Sequence, residues 1–306
     1  MKLSNFQAAL AERFDEKQVR FYEPMSKHTT FKVGGPVDAV VFPTTIDDIR
    51  DAIQIAEGVN QPWHVIGKGS NLLVSDEGLE GLVLVFVENY AQIEIEGTKI
   101  LAQAGATNKQ VAEAARDAGL AGYEFASGIP GTIGGAAFMN AGAYDGEFKN
   151  VATAVTCLMP DGSIVALDAS EADWSYRHSS MQDSNAIILD ATLELKPENR
   201  EVIASRIADL TDRRESKQPL DLGSAGSTFK RPEGSYAAKL IDEAGMRGHR
   251  VGGAQVSTKH CGFVVNTGSA TAYDVMRVIE DVQKAVFESS GIHLEPEVRM
   301  WGFKED

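Results

Sequence analysis

The sequence predicts an α+β protein of two or three domains, and three observations predict it. A chain of 306 residues exceeds one typical hydrophobic core. Helical and extended patterns follow one another without the strict strand–helix alternation of a doubly wound dinucleotide fold. Strand patterns then crowd together after residue 151, in VATAVTCLMP, in SIVALD and over residues 186–195.

Taken in order, Leu3, Phe6, Leu10 and Phe14 fall on one helical stripe and predict an opening helix. HTTFKVGGPVDAVVFP places a Gly-Gly-Pro turn before a strand over 38–42. Thr45 and Asp48 have capping-box spacing, so a helix to about Glu57 follows. Residues 62–67 read as a short strand ending in GKGSNLLV, and 82–87 as a buried strand. Residues 93–95 and 100–104 predict a hairpin about Gly97, and 108–118 a helix that Gly119 stops. The glycine-rich stretch 127–144 comes next, then the strands, with a turn at Asp161-Gly162 and punctuation at Pro197. A helix over 202–217, basic near its end, a loop over 219–226 and a short helix over 236–244 lead into a strand-like stretch, 251–266. Val275, Val278, Ile279, Val282 and Val286 form the stripe of the last long helix, Gly291 ends it, and 293–301 reads as a closing strand.

Composition narrows the function. A net charge of -15 argues against generic binding to nucleic acid or an anionic membrane, so an anionic ligand needs local cations and backbone amides. Two cysteines, Cys157 and Cys261, are too few for a disulfide framework and are expected to be buried. Acids and bases thread the N-terminus, unlike a signal peptide, and no apolar run approaches the ~18 residues of a membrane span. A soluble cytoplasmic protein is expected. The six histidines and two cysteines show no zinc spacing, so no structural metal is expected.

Five of the eighteen residues in Ser127–Tyr144 are glycine, which lets backbones or a ligand come close. Consecutive N–H groups in such a loop can converge on a diphosphate; the plain alternative is a tight connection between packed elements. GKGSNLLV is a second backbone-rich loop with neither GxGxxG nor Walker spacing. Two such loops suggest a large phosphate-bearing cofactor. Arg177, in Tyr176-Arg177-His178-Ser179, is either a solvated charge or a permanent cation beside a developing enolate or a carboxylate. Ser227, in GSTFKRP, either caps a turn or donates a proton beside two cations. Glu295 and Glu297 lie two apart, as surface acids or with one turned into a cleft.

In order, TTFKVGGPVD, GKGSNLLV, SGIPGTIGGAAFMNAGAY, YRHS, GSTFKRP, GAQVSTKHCGFVVN and LEPEVR resemble the UDP-N-acetylenolpyruvoylglucosamine reductase family, from about residue 29 to 302. The resemblance implies an FAD-binding fold of the vanillyl-alcohol-oxidase type in two subdomains, 1–90 and 91–200, and an α+β substrate-binding domain over 201–306. It implies non-covalent FAD, NADPH as co-substrate, and reduction of the enolpyruvyl ether of UDP-N-acetylglucosamine to UDP-N-acetylmuramate, in a monomer. Position by position, it implies Arg177, Ser227 and Glu297 as catalytic residues. FAD contacts are implied for Gly67, Lys68, Gly69, Ser70, Asn71 and Leu72, and for Ser127, Gly128, Pro130, Gly131, Thr132, Gly134, Gly135, Asn140, Gly142, Ala143 and Tyr144. Substrate contacts are implied for Tyr176, Lys217, Lys230, Arg231 and Gln255. Some members carry a tyrosine-bearing loop that closes over the nucleotide. No such insertion lies between Arg177 and Lys217, and position 231 is Arg where those members have Asn, so the chain resembles the shorter subtype. Arg231, Gln255 and Lys259 are then the candidates for holding the uridine. An oxidase of the same fold would have no reason to keep Arg177, Ser227 and Glu297 together, and a non-catalytic sugar-nucleotide module would carry no flavin.

Overall fold

Helices begin where a side chain satisfies the first free N–H groups. The structure, a computed structural model, describes residues 3–303, and four of its helices start with a capping box. Ser4 with Gln7 opens Asn5–Arg13, Thr45 with Asp48 opens Ile46–Glu57, Thr107 with Gln110 opens Asn108–Asp117, and Thr271 with Asp274 opens Ala272–Ser290. The box expected at Thr45 is present. Gly119 (φ +70°) and Gly291 (φ +73°) take the left-handed conformation that ends two of these helices, as expected. Arg200–Lys217 and Ala237–Glu243 are also helical.

The chain folds into two units, each discontinuous in sequence. The first holds residues 1–20, 40–68 and 82–214; the second holds 21–39, 69–81 and 215–306. The three consecutive segments expected above remain a proposal about subdomains.

The first unit contains a five-stranded antiparallel sheet in the order Ile164–Asp168, Ala152–Leu158, Ile187–Glu194, Lys99–Gln103, Ile93–Glu96. The expected hairpin about Gly97 is its edge. Alternate residues Ile100 and Ala102, with Val155, Ala191 and Leu193, face a core that also takes Ile133, Ala136 and Ala137 from a six-residue helix, Ile133–Phe138. That helix lies inside the glycine-rich stretch, which the sequence presents only as loop. Trp63–Ile66 pairs in parallel with residues 82–85 of the buried strand Leu79–Val85; Pro36–Val41 and Val19–Pro24 are further strands of the chain.

The second unit packs Ala272–Ser290 over a three-stranded antiparallel sheet, Arg250–Val251, Ala254–Val256 and Val264–Asn266. Val275, Val278, Ile279, Val282 and Val286 bury the predicted stripe. Two expectations are corrected here. The stretch 251–266 is three short strands, because Gly252 (φ +51°) and Gly253 turn the chain after Val251. The closing strand is regular only over Arg299–Trp301, parallel to Leu72–Val74, because Pro296 carries no N–H and limits 293–298 to one bridge, Pro296 to Phe229. Both cysteines are free and buried, as expected.

Candidate active site

Within the first unit, Gly67, where GKGSNLLV begins, lies against Thr132 of the glycine-rich stretch. A β-carbon at Gly67 would clash with Thr132 Oγ1, so only glycine lets the first loop approach the second this closely. Thr132 is held by an antiparallel bridge to Thr107, with Asn108 N–H donating to the Gly131 carbonyl at 3.2 Å and Ile133 N–H to the Ala106 carbonyl at 2.8 Å. Among the described residues, the N–H groups of Gly131, Thr132 and Gly135 find no acceptor. Bare amides on a glycine-lined surface suit an anion. The stretch ends in a two-stranded ribbon, Gly142–Ala143 with Gly146–Glu147, whose two turn residues Tyr144 (φ +50°) and Asp145 (φ +63°) both adopt positive φ.

Arg177 sits in a four-residue turn closed by Ser175 and His178, whose N–H and carbonyl groups pair both ways at 3.2 and 3.3 Å. Its own φ is +57°, a strained conformation for a non-glycine residue, and its guanidinium lies 5.1 Å from the Tyr176 ring centroid. The turn is anchored to the glycine-rich stretch. Asn140 Nδ2 donates to the Ser175 carbonyl (2.9 Å), Ser179 Oγ to the Phe138 carbonyl (2.7 Å) and Trp174 Nε1 to the Ala137 carbonyl (2.7 Å). Gln182 Nε2 donates to both the Phe138 and Arg177 carbonyls, at 2.8 and 3.1 Å. Asn140 is fully committed within the protein: its amide also donates to Glu147 (2.9 Å) and accepts from Lys149 N–H (3.0 Å). Lys149, with the Asn140 amide and the charges of Lys149 and Arg177, holds the Glu147 carboxyl low against its burial. His178 pairs with Asp183 at 3.3 Å, consistent with a surface histidine.

In the second unit, the segments carrying Ser227 and Glu297 are joined by an isolated antiparallel bridge, Phe229 to Pro296. Gly226 turns the chain with φ +74°, and Thr228 then pins it. Thr228 N–H donates to the Gly262 carbonyl (2.8 Å), its Oγ1 accepts from Val264 N–H (2.9 Å), and its carbonyl accepts from Glu297 N–H (2.8 Å). Lys230 N–H donates to the Glu295 carbonyl at 2.9 Å, completing the pairing around Phe229 and Pro296. Ser227 is exposed beside the anchored Thr228. Asn71, from GKGSNLLV, clasps the same segment: its Nδ2 donates to the Glu297 carbonyl (3.1 Å), and its carbonyl accepts from Arg299 N–H (3.0 Å). Gly69 (φ +58°) accepts from Thr30 N–H, and a β-carbon there would clash with the His28 carbonyl. Leu72 is buried in the parallel pair with Arg299.

The remaining candidates are scattered. Lys230 forms an ion pair with Glu295. Arg231 stacks over the exposed Tyr236 ring at 4.1 Å. Gln255 donates to the Gly248 carbonyl at 3.1 Å, and Lys259 reaches the Glu215 carbonyl. Lys217 is exposed at the end of its helix, and Lys68 is exposed in its loop. Sequence reasoning missed Gln182 and the anchoring roles of Thr228 and Asn140, which carry no periodic or motif signal. Among the described residues no group of three acidic, histidine or cysteine side chains could hold a metal, and no helix is long and apolar enough to cross a membrane.

Known proteins resemble the chain over nearly its whole length. Residues 37–168 match an FAD binding domain, and residues 218–301 match the C-terminal domain of UDP-N-acetylenolpyruvoylglucosamine reductase. The chain is 49% identical to the UDP-N-acetylenolpyruvoylglucosamine reductase of Limosilactobacillus reuteri over 96% of its own length and 99% of that protein. It is 47% identical to that of Pediococcus pentosaceus, over 96% and 98%. The crystal structure of UDP-N-acetylenolpyruvylglucosamine reductase from Thermus caldophilus superimposes with a TM-score of 0.80 at 33% identity, covering 91% of this chain and 97% of that one.

Proposed function

The chain belongs to the UDP-N-acetylenolpyruvoylglucosamine reductase family and is an FAD-dependent oxidoreductase of peptidoglycan precursor synthesis, and from that premise we propose how its residues divide the work. The substrate is UDP-N-acetylglucosamine enolpyruvate, the co-substrate NADPH, and the product UDP-N-acetylmuramate. The chain is proposed to act as a cytoplasmic monomer. The residues fit the cofactor: the Gly67–Thr132 approach and the bare N–H groups of Gly131, Thr132 and Gly135 suit a diphosphate and leave no room for a side chain at 67. Lys68, Ser70, Asn71 and the rest of the two loops are proposed to line it.

When bound, the flavin supplies a hydride to C3 of the enolpyruvyl group. Charge then develops on C2 and the adjacent carboxylate. Arg177, with a permanent guanidinium held rigidly in its strained turn, stabilises that charge. Glu297 shares a proton with the same charge. Ser227 delivers the proton to C2. Tyr176, Lys217, Lys230, Arg231 and Gln255 are proposed to contact the sugar nucleotide, with Lys259 a further candidate for the uridine.

The observation that supports this reading is the hydrogen bond from Glu297 N–H to the Thr228 carbonyl, which joins the backbone segments that carry the acid and Ser227. The test separates the two half-reactions by stopped flow. In Ser227→Ala, flavin reduction by NADPH proceeds as in the parent, while flavin reoxidation by the enolpyruvyl substrate slows about 10²- to 10⁴-fold, the range for a general acid. A near-normal second half-reaction removes Ser227 from the proton-donor role.

A further inference from the structure

The basic end of the helix Arg200–Lys217 carries an arginine that the rest of the molecule leaves unexplained. Among the described residues Arg13, Arg116, Arg206, Arg213, Arg247 and Arg277 each lie against a carboxylate. Arg214 is different. Among the described residues its Nε, buried from solvent, finds no hydrogen-bond acceptor, and no carboxylate lies within ion-pair distance of it. A buried guanidinium N–H left without an acceptor costs about 1–3 kcal/mol or more. In a chain with 44 acids and 29 bases, a carboxylate partner was within easy reach of the sequence.

Its position supplies the reason. The Arg214 side chain lies flat against Gly128 of the glycine-rich stretch. A β-carbon at Gly128 would stand 2.9 Å from Arg214 Cδ, 3.5 Å from Nη1 and 3.7 Å from Nε. The absence of a side chain at 128 is what admits the arginine. The same stretch bears the bare N–H groups of Gly131, Thr132 and Gly135 and ends at Tyr144. All of these residues belong to the first unit.

We propose that Arg214 binds a diphosphate at the glycine-rich stretch, and that this diphosphate is the cofactor's. The assignment rests on the flavoenzyme reading above. The planar guanidinium fork and the neighbouring backbone amides together present the donor set that a pyrophosphate needs, and the anion supplies the counter-charge that Arg214 lacks.

The test uses the full chain with Arg214→Gln and Arg214→Lys, and reads flavin binding by the fluorescence of released FAD. In Arg214→Gln the FAD dissociation constant rises about 10- to 100-fold, the loss of a hydrogen-bonded charge pair. Arg214→Lys falls between, keeping the charge without the fork. Riboflavin, which lacks the diphosphate, binds parent and Arg214→Gln alike. The flavin-free Arg214→Gln protein melts no lower than the flavin-free parent, because an unpaired buried charge has gone; a purely structural arginine would lower it. Unchanged FAD affinity overturns the proposal. So does an equal loss for riboflavin and FAD, and so does unchanged FAD affinity with a raised KM for the UDP-sugar, which would give the arginine to the substrate's diphosphate. A parent protein unable to take up flavin at all would overturn the flavoenzyme reading itself, before any variant is made.

Discussion

Arg177 spends stability for position. A bulky residue with φ +57° costs roughly 1–2 kcal/mol relative to a right-handed conformation, and glycine would relieve it. Four side chains nevertheless hold the region: Asn140, Gln182, Trp174 and Ser179 bond to backbone carbonyls of the turn or of the helix beside it. Strain kept in place by this many bonds marks a position selected for the side chain it presents. Arg177→Gly is therefore expected to separate stability from activity. Its thermal stability stays within about 1 kcal/mol of the parent, as relief of strain offsets the entropy glycine adds to the unfolded chain. Its second half-reaction falls by roughly 10²-fold or more, as for loss of one preorganised charge. A large drop in melting temperature with normal turnover would reverse the assignment. Asn140 is the complementary case. It is 1% exposed and its side chain makes three hydrogen bonds, so Asn140→Ala removes one of the two donors to the Ser175 carbonyl and leaves Lys149 N–H unsatisfied. A destabilisation of about 2–4 kcal/mol follows, measurable by urea denaturation.

At the scale of elements, the approach of Gly67 to Thr132 sets how closely the chain before GKGSNLLV packs on the glycine-rich stretch. Gly67→Ala forces a methyl group into Thr132 Oγ1 and is expected to weaken flavin binding at least ~10-fold; adding Thr132→Ala, which removes that oxygen, recovers part of the loss. Additive effects in the double variant would mean that the loops do not depend on each other. This close approach explains why the motifs were readable while their geometry was not. Glycine enrichment in 127–144 and the GKGSN loop stand out in the sequence because each glycine answers a local backbone demand. The helix Ile133–Phe138 does not stand out. Gly134 and Gly135 cost it about 1 kcal/mol each against alanine, and it forms because Ile133, Ala136 and Ala137 are buried and Trp174 bonds its last turn. The strand Val19–Pro24 was missed because its hydropathy does not follow its burial: Glu23 is buried while Tyr22 is exposed. The stripe Val275–Val286 and the Thr45 box were readable because period and cap spacing are properties of nearby residues. The bonds that hold the Arg177 turn join residues about 35–45 positions apart in most cases, and no local pattern announces them.

For the whole molecule, pH tests how its carboxylates are held, and two groups of them act in opposite directions. Hydrogen bonds to Asp48 from Thr44, Thr45 and Arg13 outweigh its burial and lower its pKa. Thr271 N–H, then Gly253 N–H, do the same for Asp274 against its burial, and Arg247 lowers Asp242. A carboxyl lowered in the fold contributes stability that is complete above the unfolded value of about 3.9 and is lost as pH falls through the lowered value. Acid destabilisation is therefore expected to begin near pH 4. Asp190 is the reverse. Burial raises its pKa, against the Thr156 hydrogen bond that favours the carboxylate. The fold prefers it protonated, so no cost exists below about pH 3.9; the cost grows as pH rises toward the raised value and is complete above it. Tyr90 and Cys157, both pushed up to about 12 by burial and then by the Asp190 charge, set the alkaline limit, because the unfolded chain ionises first. Asp190→Asn removes the cost without removing the side chain's volume. Its melting temperature is expected to exceed the parent's at pH 7 and to converge on it below about pH 4, while the alkaline decline begins no earlier than in the parent. An Asp190→Asn protein less stable than the parent at pH 7 would mean that the carboxylate is needed charged, and that something other than Thr156 compensates it.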